Sequence, residues 1–373
     1  MKPSAKTGKS VVVTAMLTLA LSLLLNACSE RWAPTAQWQE YLDRYYRQGR
    51  IVDTDNGGVS HSEGQGYGML LAAHFGDRQR FAALWRWTRD TLGRDDGLFS
   101  WRYSPCISSD ARCIDDPNNA SDGDLLIAWA LLRAAKVFDE PRYQSAARGI
   151  TVAIRDELLV RDHGYLFVLP GRQGFVETNN EAAVYKLNLS YWVFPALEDF
   201  ARQWPDTGVW DQLIDDGLRL LETARFGESR LNPDWFALGP DGPALIAGDS
   251  RYGYNACRIP LHLAWSRAAY HREALFAPYH NFWSAQRPPP AWVNLAADDR
   301  ADYPWSAGMA AIAALSRGVD PGVNSTANVR ASPELLPGDR PPSERKPGPL
   351  NEPGYFSDSL RLLAEIAWQE RPQ

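Results

Sequence analysis

A short segment near the start of the chain places one carboxylate among glycines and an aromatic residue. It runs His61-Ser62-Glu63-Gly64-Gln65-Gly66-Tyr67-Gly68-Met69, where a helix is predicted to begin. A Glu in a first helical turn is favoured by the helix dipole alone, which is the plainer interpretation. The glycines, however, let another molecule approach the backbone closely. Glu63 is therefore a candidate site residue.

A second segment, Asn118–Trp129, begins with two Asn, a Ser and two Asp and continues as a strongly apolar helix. Ser121 or Asp122 could simply cap that helix. Several polar groups at one helix start also suit a reactive site. Two carboxylates from separate helix starts are what glycoside hydrolysis requires, one to protonate the leaving oxygen and one to activate water or stabilise positive charge. Glu63 and one of the carboxylates of this second segment could form such a pair.

The elements that must position this pair are predicted to be helices. Apolar residues recur at steps of three and four, as in Leu125, Ala128 and Leu131. Alternation typical of strands is scarce, and Gly164–Leu169 is its best example. Without a βαβ rhythm, the pattern predicts an all-α toroid or bundle. The predicted helices are Ala36–Arg47, Gly66–His74, Arg78–Leu92, Gly123–Phe138, Tyr143–Leu159, Leu189–Gln203, Trp210–Thr223, Asn255–Arg267, Trp305–Arg317 and Tyr355–Trp368.

The first 28 residues are predicted to be a targeting segment. Three lysines precede the apolar run Val11–Leu25, which is short for a membrane span. Leu25-Asn26-Ala27-Cys28 resembles a lipobox, although Asn26 is atypical for one. We expect a signal peptide over residues 1–28 with a lipid anchor at Cys28; simple cleavage near Ala27 is the alternative, and an uncleaved anchor is a further one. The protein is then exported, to the periplasm or outer membrane, or secreted.

The remainder, residues 29–373, is predicted to form a single catalytic domain. The sequence becomes Pro-rich and polar at about 318–354. The helix predicted after it is too short to fold alone, so this stretch is a long loop and not a domain boundary.

Composition narrows the class of partner. The formal net charge is −6, which argues against nucleic acid, because phosphate binding favours a basic face. The chain has 15 Trp, 15 Tyr and 13 Phe, which suit either core packing or a cleft that stacks on sugar rings. None of the six His is paired at ligand spacing, so no catalytic metal is expected.

Three cysteines lie beyond the predicted signal peptide. Cys106 and Cys113 lie seven residues apart in a polar loop, and in an oxidising compartment they could form a local disulfide. Cys257 lies among apolar residues and is expected to be a buried thiol.

Five motifs in order resemble glycoside hydrolase family 8, and the similarity covers about residues 33–368. They are Ser62-Glu63-Gly64-Gln65-Gly66-Tyr67-Gly68, the segment Ala120–Phe138, Asn188-Leu189-Ser190-Tyr191, Pro233-Asp234-Trp235, and Tyr254-Asn255-Ala256-Cys257-Arg258-Ile259-Pro260. The branch that the chain resembles most comprises the endoglucanases associated with bacterial cellulose synthesis.

The resemblance implies an (α/α)6 barrel with a substrate cleft at one end, hydrolysis with inversion, and no cofactor. It implies that Glu63 is the general acid and that Asp122 acts near the −1 sugar, by substrate distortion or charge stabilisation. The substrate-binding residues that it implies are Trp101, Tyr191, Tyr254 and Arg258.

The chain departs from the family pattern at Asn255, where many members carry Asp as general base. An amide does not usefully accept a proton, although it can position a water. Three interpretations follow: another carboxylate serves as base, with Asp249 and Asp122 the candidates; the enzyme is slow; or the chain binds glucan without turnover.

The leading hypothesis is an endo-β-1,4-glucanase that acts on cellulose chains, linked to cellulose synthesis or remodelling and so to a cellulose synthase complex. Within the same family, a chitosanase, xylanase or mixed-linkage glucanase is the alternative. A non-catalytic or weakly active glucan-binding accessory of a polysaccharide synthase is the alternative from another class.

Lipidation of Cys28 can be tested directly in a bacterial host. Globomycin, which blocks the lipoprotein signal peptidase, should cause the precursor to accumulate, as observed by immunoblotting. A mature protein whose mass shows no lipid at Cys28 would leave simple signal cleavage as the explanation.

Overall fold

The computed structural model describes residues 35–106, 113–179, 182–205, 208–322 and 354–371. The predicted signal peptide and lipid anchor, and all of the Pro-rich stretch except its ends, lie outside these described residues. No helix within the described ranges is both long enough and apolar enough to cross a membrane.

Eleven α-helices dominate the described part of the chain. They are α1 Ala36–Tyr45, α2 Ser62–His74, α3 Arg78–Trp87, α4 Ser121–Val137, α5 Pro141–Leu158, α6 Phe194–Gln203, α7 Val209–Thr223, α8 Ile259–Trp265, α9 Glu273–Ala285, α10 Ala307–Ser316 and α11 Tyr355–Glu370.

Each predicted helix corresponds to one of these, with ends that differ by a few residues. Larger differences precede α6 and α8, where short 3₁₀ turns, Leu189–Tyr191 and Ala256–Arg258, replace the predicted first helical turn. Another follows α3, where Thr88–Leu92 forms a π-helical turn. Helix α9 is not among the predicted helices, because Pro278 interrupts its sequence pattern.

Within the described ranges, thirteen short strands modify the all-α prediction, since the fold is mostly helical but carries small antiparallel sheets. The strands are β1 Tyr46–Arg47, β2 Arg50–Ile51, β3 Ser60–His61, β4 Ser100–Tyr103, β5 Asp116–Asn119, β6 Leu159–Asp162, β7 Tyr165–Val168, β8 Val176–Asn179, β9 Ala182–Leu187, β10 Phe236–Gly239, β11 Gly242–Leu245, β12 Arg251–Tyr252 and β13 Val293–Asn294. They pair as β1–β2, β3–β4–β5, β6–β7, β8–β9–β10–β11 and β12–β13. The predicted strand-like stretch Gly164–Leu169 contains β7.

Six helices pack in a closed ring, each against the next: α2, α4, α6, α8, α10 and α11, with α11 returning to α2. Helices α2, α4 and α8 are buried on nearly all sides, as expected for helices surrounded by others. Helices α1, α3, α5 and α7 instead bury one face each and carry polar residues on the other.

Glycine allows α2 and α4 to approach each other closely at their first turns. A Cβ atom on Gly66 would lie 2.5 Å from Leu126 Cβ, and one on Gly123 would lie 2.8 Å from the backbone nitrogen of Glu63. Any side chain at either position would push the helices apart. The glycines therefore bring the starts of α2 and α4 together.

The ring is tied together at its other end by Glu370, near the end of α11. Its carboxylate bonds to Arg133 of α4, to His74 Nδ1 at 3.2 Å and to Trp265 Nε1 at 3.1 Å. Burial alone would raise the pKa of Glu370, but hydrogen bonds from His74 and Arg133 and the charge of Arg133 lower it to about 2. One carboxylate thus holds the last turns of α2, α4 and α8.

We expect Glu370→Gln to destabilise the fold at neutral pH by about 1–2 kcal/mol, an amount reduced for the partial exposure of this side chain. Because the pKa of Glu370 is lowered in the folded protein, its carboxylate adds to the free energy of unfolding at pH values above the ordinary pKa of 4.5. That contribution is lost as the pH falls towards 2. The difference between wild type and variant should therefore shrink across this interval, as measured by urea unfolding.

The control is Glu40→Gln, which breaks the exposed Glu40–Arg44 pair on α1. Exposed pairs contribute little, so this variant should change the free energy of unfolding by less than about 0.5 kcal/mol. Equal effects of the two substitutions would contradict the role assigned to Glu370.

Candidate active site

Four ring helices begin around one cavity. Glu63 is the second residue of α2 and Asp122 the second of α4, while Tyr191 ends the turn before α6 and Arg258 directly precedes α8. Helix starts carry partial positive charge, which favours carboxylates there. These four residues are far apart in the sequence, and they meet because their helices start at the same end of the ring.

The cavity has a volume of about 380 Å³. Its lining combines carboxylates, amides and aromatic rings. The lining residues are His61, Ser62, Glu63, Trp101, Asp116, Asn118, Asn119, Ala120, Asp122, Pro170, Phe175, Tyr191, Trp235 and Asn255.

The guanidinium of Arg258 connects the two candidate carboxylates. Its Nη1 atom donates to Glu63 Oε1 at 2.5 Å and to Asp122 Oδ2 at 3.0 Å. Its Nη2 atom donates to Ser190 Oγ at 3.0 Å and to Asn255 Oδ1 at 2.9 Å. Arg258 thus joins the starts of α2 and α4 to the turns that precede α6 and α8.

Glu63 and Asp122 occupy different environments. The Glu63 side chain is 23% exposed and the Asp122 side chain 3%. Burial, and secondly the negative charge of Glu63, raise the pKa of Asp122, while Arg258 opposes the rise. Asp122 Oδ1 also accepts from the backbone N–H of Gly123 at 2.8 Å. Glu63 can therefore reach a molecule in the cavity, whereas Asp122 is held in place.

The distance between the pair limits what Asp122 can do. Both oxygens bond to the same Nη1 atom, at 2.5 and 3.0 Å, so they lie at most about 5.5 Å apart. Inverting hydrolysis needs roughly 6.5–9.5 Å between acid and base, to leave room for water. This geometry is unfavourable for Asp122 as the base.

Aromatic rings form two walls. On one, Trp101 stacks on His61 with centroids 5.9 Å apart and planes within 4°. On the other, Trp235 lies parallel to Phe175 at 5.8 Å and edge-on to Tyr191 at 5.9 Å. Walls of this kind suit the apolar faces of sugar rings.

Asn255 lines the cavity with its amide oriented by Arg258. Because Oδ1 accepts from Arg258 Nη2, the amide NH₂ is the group left to donate to a molecule in the cavity. Tyr254, its neighbour, hydrogen-bonds Tyr303 through the two hydroxyls at 3.2 Å and is not among the lining residues.

Asp249, the other residue predicted as a possible base, lies outside the cavity lining. Its Oδ2 pairs with Lys186 Nζ at 2.8 Å, and its side chain is 38% exposed. Lys186 Nζ lies 4.8 Å from the centre of the Trp235 ring, so the pair lies next to that wall.

Residues at the site that were not singled out individually from sequence include Tyr67, Asp116, Phe175, Ser190 and Trp235. Tyr67 donates to Glu63 Oε1 at 2.5 Å, and its spacing of four residues along a helix is the signal that could have revealed it. Ser190 stands inside the quoted Asn188–Tyr191 motif. No sequence pattern marks Asp116 or Phe175.

Asp124 lies two residues after Asp122 but makes different contacts. It is fully buried, and it accepts from the backbone N–H of Phe99 at 2.9 Å and from Asn119 Nδ2 at 2.7 Å. Burial raises its pKa to about 8. Asp124 thus fixes the β4–β5 sheet, which carries Trp101, to helix α4.

The cysteines follow the predictions. Cys106 and Cys113 are joined as a disulfide next to β4 and β5, and Cys257 is a buried free thiol that donates to the Tyr254 carbonyl. No group of three or more His, Cys, Asp and Glu side chains in the described ranges could hold a metal ion.

Residues 9–370 match the family model of the glycosyl hydrolases family 8. An endoglucanase of Cellulomonas uda is 40% identical over 82% of this chain and 83% of its own, and a probable endoglucanase of Novacetimonas hansenii is 36% identical over 91% and 92%. The crystal structure of a GH8 endo-beta-1,4-glucanase from an Achatina fulica gut metagenomic library has a TM-score of 0.75, with 35% identity over 90% of this chain and 98% of that one. The chain thus belongs to glycoside hydrolase family 8.

Proposed function

We propose that the protein is an endo-β-1,4-glucanase that hydrolyses internal linkages of cellulose-like chains with inversion. The observation that carries this assignment is the pair Glu63 and Asp122 on one buried guanidinium, in a cavity with aromatic walls. The endoglucanase names of the relatives, at 36–40% identity over most of the chain, support the same substrate class.

In the proposed reaction, the glucan lies between the Trp101 wall and the Trp235 wall. Glu63 donates its proton to the glycosidic oxygen as the bond from that oxygen to the anomeric carbon breaks. Asp122 stabilises the positive charge that develops on the −1 sugar. Water attacks the opposite face of the sugar, so the configuration inverts without a covalent intermediate.

The attacking water must lie on the face of the −1 sugar opposite the proton donor Glu63. The Asn255 NH₂ group orients this water by donating to its oxygen. Asp249 is the proposed proton acceptor: it belongs to the segment that leads through β12 to Asn255 and, because it lies outside the cavity lining, it receives the proton through solvent. Asp116 lies instead on β5. This strand belongs to the β3–β4–β5 sheet, and its strand β3 ends at His61, two residues before Glu63.

The same proposal includes an architecture and a location. The closed ring of six helices, with the one-sided helices outside it, is the inner layer of an (α/α)6 barrel. The protein is exported and anchored to the membrane by lipid at Cys28. There it trims glucan beside a cellulose synthase complex. The apolar run Val11–Leu25 and the lipobox-like sequence before Cys28 support that location.

The first prediction of this proposal concerns the acid. The mature protein should release reducing ends from carboxymethylcellulose, and Glu63→Gln should lower kcat by at least about 10³-fold, because it removes the proton donor. Proton NMR of the first product should show the α-anomer. Cello-oligosaccharide binding without turnover in the wild type would favour the glucan-binding alternative that Asn255 raises.

The second concerns the base. Asp249→Asn should lower kcat by about 10²-fold, and azide, an anion that needs no deprotonation, should restore turnover. Asp116→Asn is the matched control, and we expect azide to have no effect on it. Azide rescue of the Asp116 variant instead would identify Asp116 as the base.

A further inference from the structure

One oxygen of Asp234 accepts three backbone hydrogen bonds from a single turn. Its Oδ1 atom lies 3.1 Å from the N–H nitrogen of Gly253, 3.0 Å from that of Asn255 and 2.7 Å from that of Ala256. Three N–H groups directed at one carboxylate oxygen form an anion-binding concavity, here occupied by a side chain of the same protein. The Gly253–Ala256 turn is therefore fixed by Asp234.

This turn carries one side of the candidate active site. It presents Asn255 to the cavity, and the 3₁₀ turn that follows ends at Arg258. The backbone N–H of Arg258 in turn donates to the Asn255 carbonyl at 3.1 Å. A shift of the turn would therefore move Asn255 and Arg258 together, and with them the partner shared by Glu63 and Asp122.

Asp234 also joins this turn to the aromatic wall. The next residue, Trp235, lines the cavity. The backbone N–H of Asp234 is bonded to the Arg251 carbonyl of β12, at 2.5 Å. Little room is left for movement, because a Cβ atom on Gly253 would lie 2.9 Å from Asp234 Oδ2. The wall that stacks on sugar and the turn that handles water are thus held at a fixed separation.

We propose that Asp234 is a positioning residue for the reaction: it sets the Asn255–Arg258 turn against the Trp235 wall and does not itself exchange a proton. The proposal rests on the proposed glucanase function, because it is expressed in the turnover of β-glucan.

Two substitutions separate positioning from proton transfer. Asp234→Ala removes the acceptor oxygen and should lower kcat on carboxymethylcellulose by about 10²-fold, the loss expected for a small misplacement of reacting groups. Asp234→Asn keeps an acceptor oxygen and should retain kcat within about tenfold of wild type. KM should change less than kcat in both. An inactive Asp234→Asn variant that azide rescues would overturn the proposal, since Asp234 would then be the base.

Asp216 provides a matched control. It is a buried carboxylate on the outer helix α7 that accepts from the backbone N–H of Leu166 at 2.8 Å and pairs with Arg219. Asp216→Ala should destabilise the fold and keep kcat close to wild type when assayed below its unfolding temperature. An Asp234→Ala variant with the same kcat as Asp216→Ala would contradict positioning.

Amide hydrogen exchange gives a readout that does not depend on the substrate. In Asp234→Ala, the N–H groups of Gly253, Asn255 and Ala256 should exchange at least about tenfold faster, while those of α4 stay protected. Unchanged protection would overturn the proposal whatever the activity. A wild type without turnover on any β-glucan would instead contradict the proposed function, and the exchange result would still decide the role of Asp234.

Discussion

The buried guanidinium of Arg258 is the constraint on which the site depends. Removing a charge from water is costly unless its donors all find partners, and a buried ion pair is tolerated only with good geometry. Here Nη1 is shared by Glu63 and Asp122, and Nη2 by Ser190 and Asn255. These partners belong to four different parts of the helix ring. Satisfying one side chain therefore fixes how α2, α4, α6 and α8 begin relative to one another.

The far end of the ring has its own charged network, centred on Glu370 and Arg133. Arg133 also lies over the Trp129 ring at 5.2 Å, and Trp129 Nε1 donates to Asp199 of α6 at 2.8 Å. The helices are thus held at both ends by directional bonds, with non-directional apolar packing between them. Apolar packing alone would tolerate sliding of a helix, whereas the two networks set its position along the ring.

Periodicity predicted ten of the helices, because their apolar residues follow a local 3.6-residue pattern that needs no tertiary information. The strands other than β7 escaped prediction because most have only two to four residues and are stabilised by partners elsewhere, as in the pairing of His61 with Arg102. Glu63 and the polar start of α4 could be singled out because a helix start is a local signal, and the resemblance to family 8 selected Asp122. The bond between Glu63 and Arg258 spans 195 residues, and nothing local distinguishes Asp122 from Asp124. Only the packing of α4 shows that Asp124 serves the β4–β5 sheet.

Asn255 is best understood from the charge around Arg258. One guanidinium already serves two carboxylates, and the charge of Glu63 already raises the pKa of Asp122. A third carboxylate at position 255 would add negative charge at the same place and raise the pKa of Asp122 further. An amide keeps the hydrogen bond to Nη2 without that charge. An Asn at position 255 therefore adds no negative charge beside Asp122, and in the proposed reaction another residue accepts the proton.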